Sequence, residues 1–116
     1  MSQPNRPAPI HAPTLMAAAA HDGPLWSTAS EQLNANLLRF SAGQGIAAHV
    51  NNEVDVLVVV LGGLGRITID EDEYDITAGT IIVIPRGARR SIASLSDSLA
   101  YVTCHRRRAG LLPEGV

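Results

Sequence analysis

The chain has 116 residues, 46% of them apolar, and a formal net charge of −2. That length gives one domain able to bury its own core, no run nears the ~20 apolar residues of a membrane span, and the charge argues against nucleic acid, whose phosphates need a concentrated basic surface. All nine basic residues are arginine, which excludes Schiff-base chemistry on lysine, and the single Cys104 excludes an intrachain disulfide and suggests a reducing, cytoplasmic setting.

Residues 1–22 hold four of the seven prolines and an alanine run, with no periodic pattern, and read as a loose N-terminal arm. The apolar stretch Leu15 to Ala20 is too short for a secretory signal. Residues 23–108 read as a single β-domain and 109–116 as a C-terminal tail. Leu33 to Phe40 alternates as a strand should, and Gly43 and Gly45 break it. Val54 to Leu61 is nearly continuous in β-branched residues and leucine, as expected of a strand covered on both faces. After Gly62-Gly63, Leu64 to Ile69 is expected to return as its hairpin partner. Asp70 to Glu73 reads as a solvated hairpin tip, followed by Tyr74-Asp75-Ile76. Ala78-Gly79 and Pro85-Arg86-Gly87 are turns on either side of Thr80 to Ile84. Ser91-Ile92-Ala93 follows, and Leu99 to His105 is the last strand. Arg106-Arg107-Arg108 reads as a solvated tail rather than an anion-steering patch. Eight or nine short strands and no long helix predict an all-β double-sheeted jelly-roll barrel.

Two glycine-anchored strings lie within this pattern. Gly43, His49, Asn51, Asp55 and Gly62 form G-x5-H-x-N-x3-D-x6-G; Gly79, Pro85, Gly87, Arg90 and Ser94 form G-x5-P-x-G-x2-R-x3-S. The pair resembles the two signature motifs of the cupin superfamily, G-x5-H-x-H-x3-4-E-x6-G and G-x5-P-x-G-x2-H-x3-N. The resemblance covers about residues 25 to 106 and implies a cupin-type double-stranded β-helix. It also implies that His49, Asn51, Asp55 and Arg90 face the barrel interior, where the family's enzymes hold a divalent transition metal. All glycines, the proline and the first histidine match. Asn51 and Arg90 replace two histidines, Asp55 replaces a glutamate, and Ser94 an asparagine.

Those replacements bear on the chemistry. His49 keeps an imidazole and Asp55 a carboxylate, but Asn51 offers only a neutral amide oxygen and Arg90 has no lone pair to donate. His49, Asn51, Glu53 and Asp55 share one strand parity, interrupted by an expected bend near Asn51-Asn52. The cofactor expectation is therefore none, or a weakly bound divalent metal on His49, Asp55 and Glu53. Without metal, Asp55 and Arg90 would form a buried charge pair flanked by His49 and Asn51, and the arginine fork would suit an anionic small molecule. The bland alternative is that this pair satisfies itself and nothing binds. His105 shares parity with Leu99, Tyr101 and Thr103. As a lone histidine near a strand end it reads as a surface or capping residue, though inward it would supply a ligand or an acid–base group. Cys104 reads as a small core residue.

The function expected is that of a stand-alone small-molecule-binding barrel with a degenerate metal site. The alternatives are a metal-dependent enzyme, oxygenase- or isomerase-like, on a rearranged set of His49, Asp55 with Glu53 or His105, and a structural or partner-binding barrel. Uncovered edge strands suggest a homodimer.

Overall fold

The computed structural model describes residues 8–107. One short helix, α1 (Ala12–Ala17), precedes nine strands: β1 (Gly23–Ala29), β2 (Leu33–Phe40), β3 (Gly45–Val50), β4 (Val56–Gly62), β5 (Leu64–Ile69), β6 (Asp72–Thr77), β7 (Ile81–Ile84), β8 (Arg89–Ser94) and β9 (Leu99–Arg106). They form two antiparallel sheets, β1-β2-β9-β4-β7 and β3-β8-β5-β6, facing each other as a jelly-roll barrel. Among the described residues, no helix is long and apolar enough to cross a membrane.

The core follows strand parity. Leu38 and Phe40 on β2, Val56, Val58 and Val60 on β4, and Leu99 and Tyr101 on β9 line one wall. Ile67, Ile76 and Ile92 line the other. Each such side chain contributes about 1.5–3 kcal/mol by leaving water. Phe40 and Tyr101 stack with ring centroids 6.2 Å apart.

Three expectations change. First, β4 and β5 are not a hairpin: β4 pairs with β7 and β9, whereas β5 pairs with β6 and β8. The Gly62-Gly63 turn is the corner at which the chain crosses between sheets. Gly63 has φ +84°, and a Cβ there would stand 2.0 Å from the Ser98 carbonyl oxygen, so no other residue fits. Second, β4 is covered on one face only. Val56, Val58 and Val60 are buried, but Leu57 and Leu61 remain exposed on the outside. Third, within the arm expected to be loose, Ala12–Ala17 form a helix, and Met16 approaches Gly62 on the outer face. The acidic hairpin tip is as expected, with Ile69 opposite Asp72. Residues 1–7 and the 108–116 segment, including the last arginine of the basic run, lie outside the described residues.

The topology gathers particular strand ends together. β3 ends and β4 begins at one end of the barrel. The same end holds the close of β7 and start of β8, the close of β5, the start of β2 and the close of β9, because Val56 opposes Ile84, Ile69 opposes Arg90 and Asn34 opposes His105. The loops there are tied to one another. Gly87 N–H donates to the Asn51 carbonyl at 2.7 Å, the Arg106 guanidinium to the Glu53 carbonyl at 3.1 Å, and Arg107 to the Ser30 carbonyl at 3.3 Å. Arg106 and Arg107 thus strap the rim of the barrel, where the sequence suggested a solvated tail.

Candidate functional site at one end of the barrel

His49 and Arg90 are direct cross-strand partners on β3 and β8, with Ile69 on the other side of Arg90. Residues opposed in this way have Cβ atoms about 4.5–5.5 Å apart. Arg90 is only 2% exposed, which is unusual for arginine and places its positive charge inside the barrel. On the facing sheet, the same end carries Asn34 and His105, again a cross-strand pair, at 2% and 3% exposure. Two sheets packed about 10 Å apart bring these four side chains to one layer.

Asn51 is also buried, just beyond the end of β3. Its Oδ1 accepts the backbone N–H groups of Glu53 and Val54 at 2.9 and 3.3 Å. This Asx turn produces the bend expected near Asn51-Asn52 and carries the chain from one sheet to the other. The bend ends the strand parity. Asp55 is therefore exposed rather than interior, and its Oδ1 accepts the Arg86 N–H at 2.8 Å. The expected buried pair of Asp55 with Arg90 does not form, and Asp55 instead fastens the Pro85-Arg86-Gly87 turn. Glu53 lies at the exposed rim. His105 corrects the sequence reading in the opposite direction: it faces the interior, as its parity with Tyr101 and Thr103 requires, while Cys104 with Val102 faces outward and is half-buried.

Several buried polar atoms in this end of the barrel have no hydrogen-bond partner among the described residues: His49 Nε2, His105 Nε2, Asn34 Oδ1 and Asn51 Nδ2. The Tyr101 hydroxyl, two pairs deeper on β9, is in the same condition. Burial pushes the Tyr101 phenol well up from its ordinary value, so it stays a neutral O–H. Asn34 and Tyr101 were not singled out from sequence. The available signal was the alternation of Asn34, Asn36 and Leu38 against Leu99, Tyr101, Thr103 and His105.

The side chains present do not fit the divalent metal that the motif positions imply. Asn51 Oδ1 is engaged by two backbone amides, Asp55 points outward, and Arg90 brings a permanent positive charge beside His49. Among the described residues, no group of three or more His, Cys, Asp or Glu side chains is placed to hold an ion.

The sequence matches the cupin domain family over residues 36–105, more than half of the chain. The protein is a member of the cupin family. No curated protein matches it. Among solved structures, a Bacillus halodurans protein superposes with a TM-score of 0.77 at 17% identity, over 97% of this chain and 88% of that one. A cupin protein from Bacteroides fragilis is 26% identical with a TM-score of 0.60, over 75% of both chains. The cupin domain of Schizosaccharomyces pombe Cnp3 gives a TM-score of 0.66 at 16% identity over 72% of this chain, which spans 59% of that chain's length. Likenesses of this kind establish the barrel and leave the chemistry to the residues.

Proposed function

We propose that this cupin is a stand-alone small-molecule-binding protein that takes an anionic ligand at the polar end of its barrel, in place of a resident transition metal. The observation that carries the reading is the group of buried, unpartnered polar atoms around a buried arginine: His49 Nε2, His105 Nε2, Asn34 Oδ1 and Asn51 Nδ2 beside Arg90. Each buried polar atom without a partner costs about 1–3 kcal/mol, so a ligand that satisfies several of them is favoured by that much. Arg90 adds a buried positive charge at this end, which favours an anionic ligand. The lone thiol, Cys104, supports a reducing, cytoplasmic setting.

The test is a calorimetric titration of the purified protein with small carboxylates and inorganic phosphate, alongside Arg90→Met. Saturable binding by the wild type and its loss in the folded variant are expected. Equal binding by both, or none by the wild type, would remove the proposal.

The same reading makes the protein a homodimer joined through the outer face of the five-stranded sheet. Ile81 and Val83 on the edge strand β7 are 68% and 56% exposed, and Leu57 and Leu61 on β4 are 38% and 37% exposed. This face carries no charge on β4 or β7, so a second copy related by a two-fold axis meets it without like-charge conflict and covers the unprotected edge. Light scattering should return a dimer mass for the wild type and a monomer mass for Val83→Glu. A wild-type monomer at micromolar concentration would exclude this arrangement.

A further inference from the structure

Two imidazoles, two amides and two hydroxyls define the hydrogen-bonding roles that the barrel interior still offers. His49 Nδ1 lies 3.0 Å from the Ala47 carbonyl oxygen, and His105 Nδ1 lies 2.8 Å from that of Arg106. A carbonyl oxygen only accepts, so Nδ1 carries the hydrogen in both rings. A neutral imidazole has one N–H, so each Nε2 holds a lone pair. Both Nε2 atoms are buried and unpartnered among the described residues, and Asn34 Oδ1, on the residue opposite His105, is a third such acceptor. Donors are interspersed with them. The Asn51 amide oxygen takes two backbone N–H groups, which leaves its buried NH2 to give, and the Tyr101 hydroxyl is in the same position. Between Tyr101 and His105 on β9, Thr103 is 1% exposed. The Ser27 hydroxyl donates to Asn36 Oδ1 at 2.7 Å, which turns the Asn36 NH2 onto Thr103 Oγ1 at 3.3 Å and leaves the Thr103 hydroxyl its hydrogen to donate.

One chemical group answers both kinds of atom. An alcohol donates one hydrogen and accepts on two lone pairs. An ether, a carbonyl or a fully ionised anion would set lone pairs against His49, His105 and Asn34. An ammonium would leave Asn51, Tyr101 and Thr103 unanswered. A cation shared by the two imidazoles would need further ligands, and among the described residues no group of three or more His, Cys, Asp or Glu side chains is placed to hold one. Each alcohol has a single hydrogen and the two Nε2 atoms need one each, so the ligand carries at least two. Resting on the ligand-binding reading above, we infer that the barrel takes a polyol-bearing ligand, a small molecule whose alcohol groups donate to the Nε2 atoms of His49 and His105 and accept from Asn51 and Tyr101. The hydroxyls decide which small molecules bind, because a buried acceptor left unmatched rejects an analogue lacking the hydroxyl.

The experiment titrates the full-length protein with glycerol 3-phosphate, propyl phosphate and glycerol at about pH 8, where free imidazole is neutral, and records nitrogen-15 NMR of the histidine rings. The two phosphates share charge and carbon chain and differ by two hydroxyls. Glycerol 3-phosphate should bind roughly tenfold or more tightly than propyl phosphate, and more tightly than glycerol. His105→Leu should reduce the ratio between the two phosphates several-fold while leaving propyl phosphate affinity within about twofold. The NMR should show both rings protonated at Nδ1 in the free protein. Propyl phosphate binding as tightly as glycerol 3-phosphate, or a ratio unchanged in the folded variant, would overturn the hydroxyl assignment and leave the anion reading standing. Glycerol binding as tightly as glycerol 3-phosphate would remove the anion reading and leave the hydroxyl assignment standing. No binding by any probe would overturn both. Rings protonated at Nε2 would overturn the assignment whatever the affinities.

Discussion

Replacing Arg90 by histidine should turn this barrel into a metal site. His49 and Arg90 are directly opposed on neighbouring strands, and His105 faces them from the other sheet. A dication about 2 Å beyond His49 Nε2 would lie about 6 Å from the guanidinium, given the spacing of opposed strand residues. At an effective dielectric constant of about 20, one positive charge repels two at that distance by about 5 kcal/mol. That is an upper bound on the relief available, on the order of 10³–10⁴ in Kd. Arg90→Met isolates the electrostatic part. Arg90→His adds a third imidazole to His49 and His105, and three nitrogen ligands are a common protein contribution to open zinc sites. Calorimetry with zinc, nickel and manganese after exhaustive chelation should show no saturable site in the wild type, a weak one in Arg90→Met and the tightest in Arg90→His. Elemental analysis should find about one ion per chain in the last. If Arg90→His bound metal no better than the wild type, or if the wild type kept about one equivalent through chelation, Arg90 would not be the residue that excludes the cation.

The other expectations follow from local contacts. Asp55→Ala should lower stability by about 1 kcal/mol, the usual loss for a side chain that caps backbone N–H groups, and leave anion affinity unchanged; a loss of binding would return Asp55 to the site. Gly63→Ala places a Cβ against the Ser98 carbonyl at positive φ, so urea unfolding should show a loss of at least about 1–3 kcal/mol, and an unchanged midpoint would contradict the corner geometry. Asp22 accepts the Ser41 backbone N–H at 2.8 Å and the Ser41 hydroxyl at 2.9 Å, which hold its carboxyl below the ordinary range, with Arg39 adding a smaller effect. Because its folded-state pKa is depressed, its stabilisation is present above the unfolded value of about 3.9 and lost as pH falls through the folded value. Asp22→Asn should therefore be less stable than wild type at neutral pH, with the difference closing on acidification; a pH-independent difference would show that ionisation of Asp22 is not its source.

The barrel was legible because β-rich runs and turn-forming glycines and prolines agree on strand after strand. The sheet assignment of β4 and β5 was not, since Gly62-Gly63 makes an equally good hairpin turn or sheet-crossing corner. The strand pairings separate the two, β4 with β7 and β9 against β5 with β6 and β8. The resemblance to the cupin motifs implied an interior His49 and Arg90, and their placement on β3 and β8 makes them neighbours. Asp55 was placed inside by the resemblance, and parity could not check that placement because it holds only inside a strand. Once β3 ends at Val50 and Asn51 turns its own oxygen back onto the chain, counting by twos no longer tells inside from outside. His105 failed for the converse reason. Its parity already pointed inward, but a strand-end histidine is usually solvated, and only the pairing with Asn34 on β2 shows that the wall continues past it.

The errors at Asp55 and His105 change the chemistry in one direction. With Asp55 inside, its carboxylate would have stood beside Arg90 at this end of the barrel. With Asp55 outside and His105 inside, the protein supplies a buried cation and two imidazole lone pairs. The two inward lone pairs are what a ligand at this end has to answer with hydrogen-bond donors of its own.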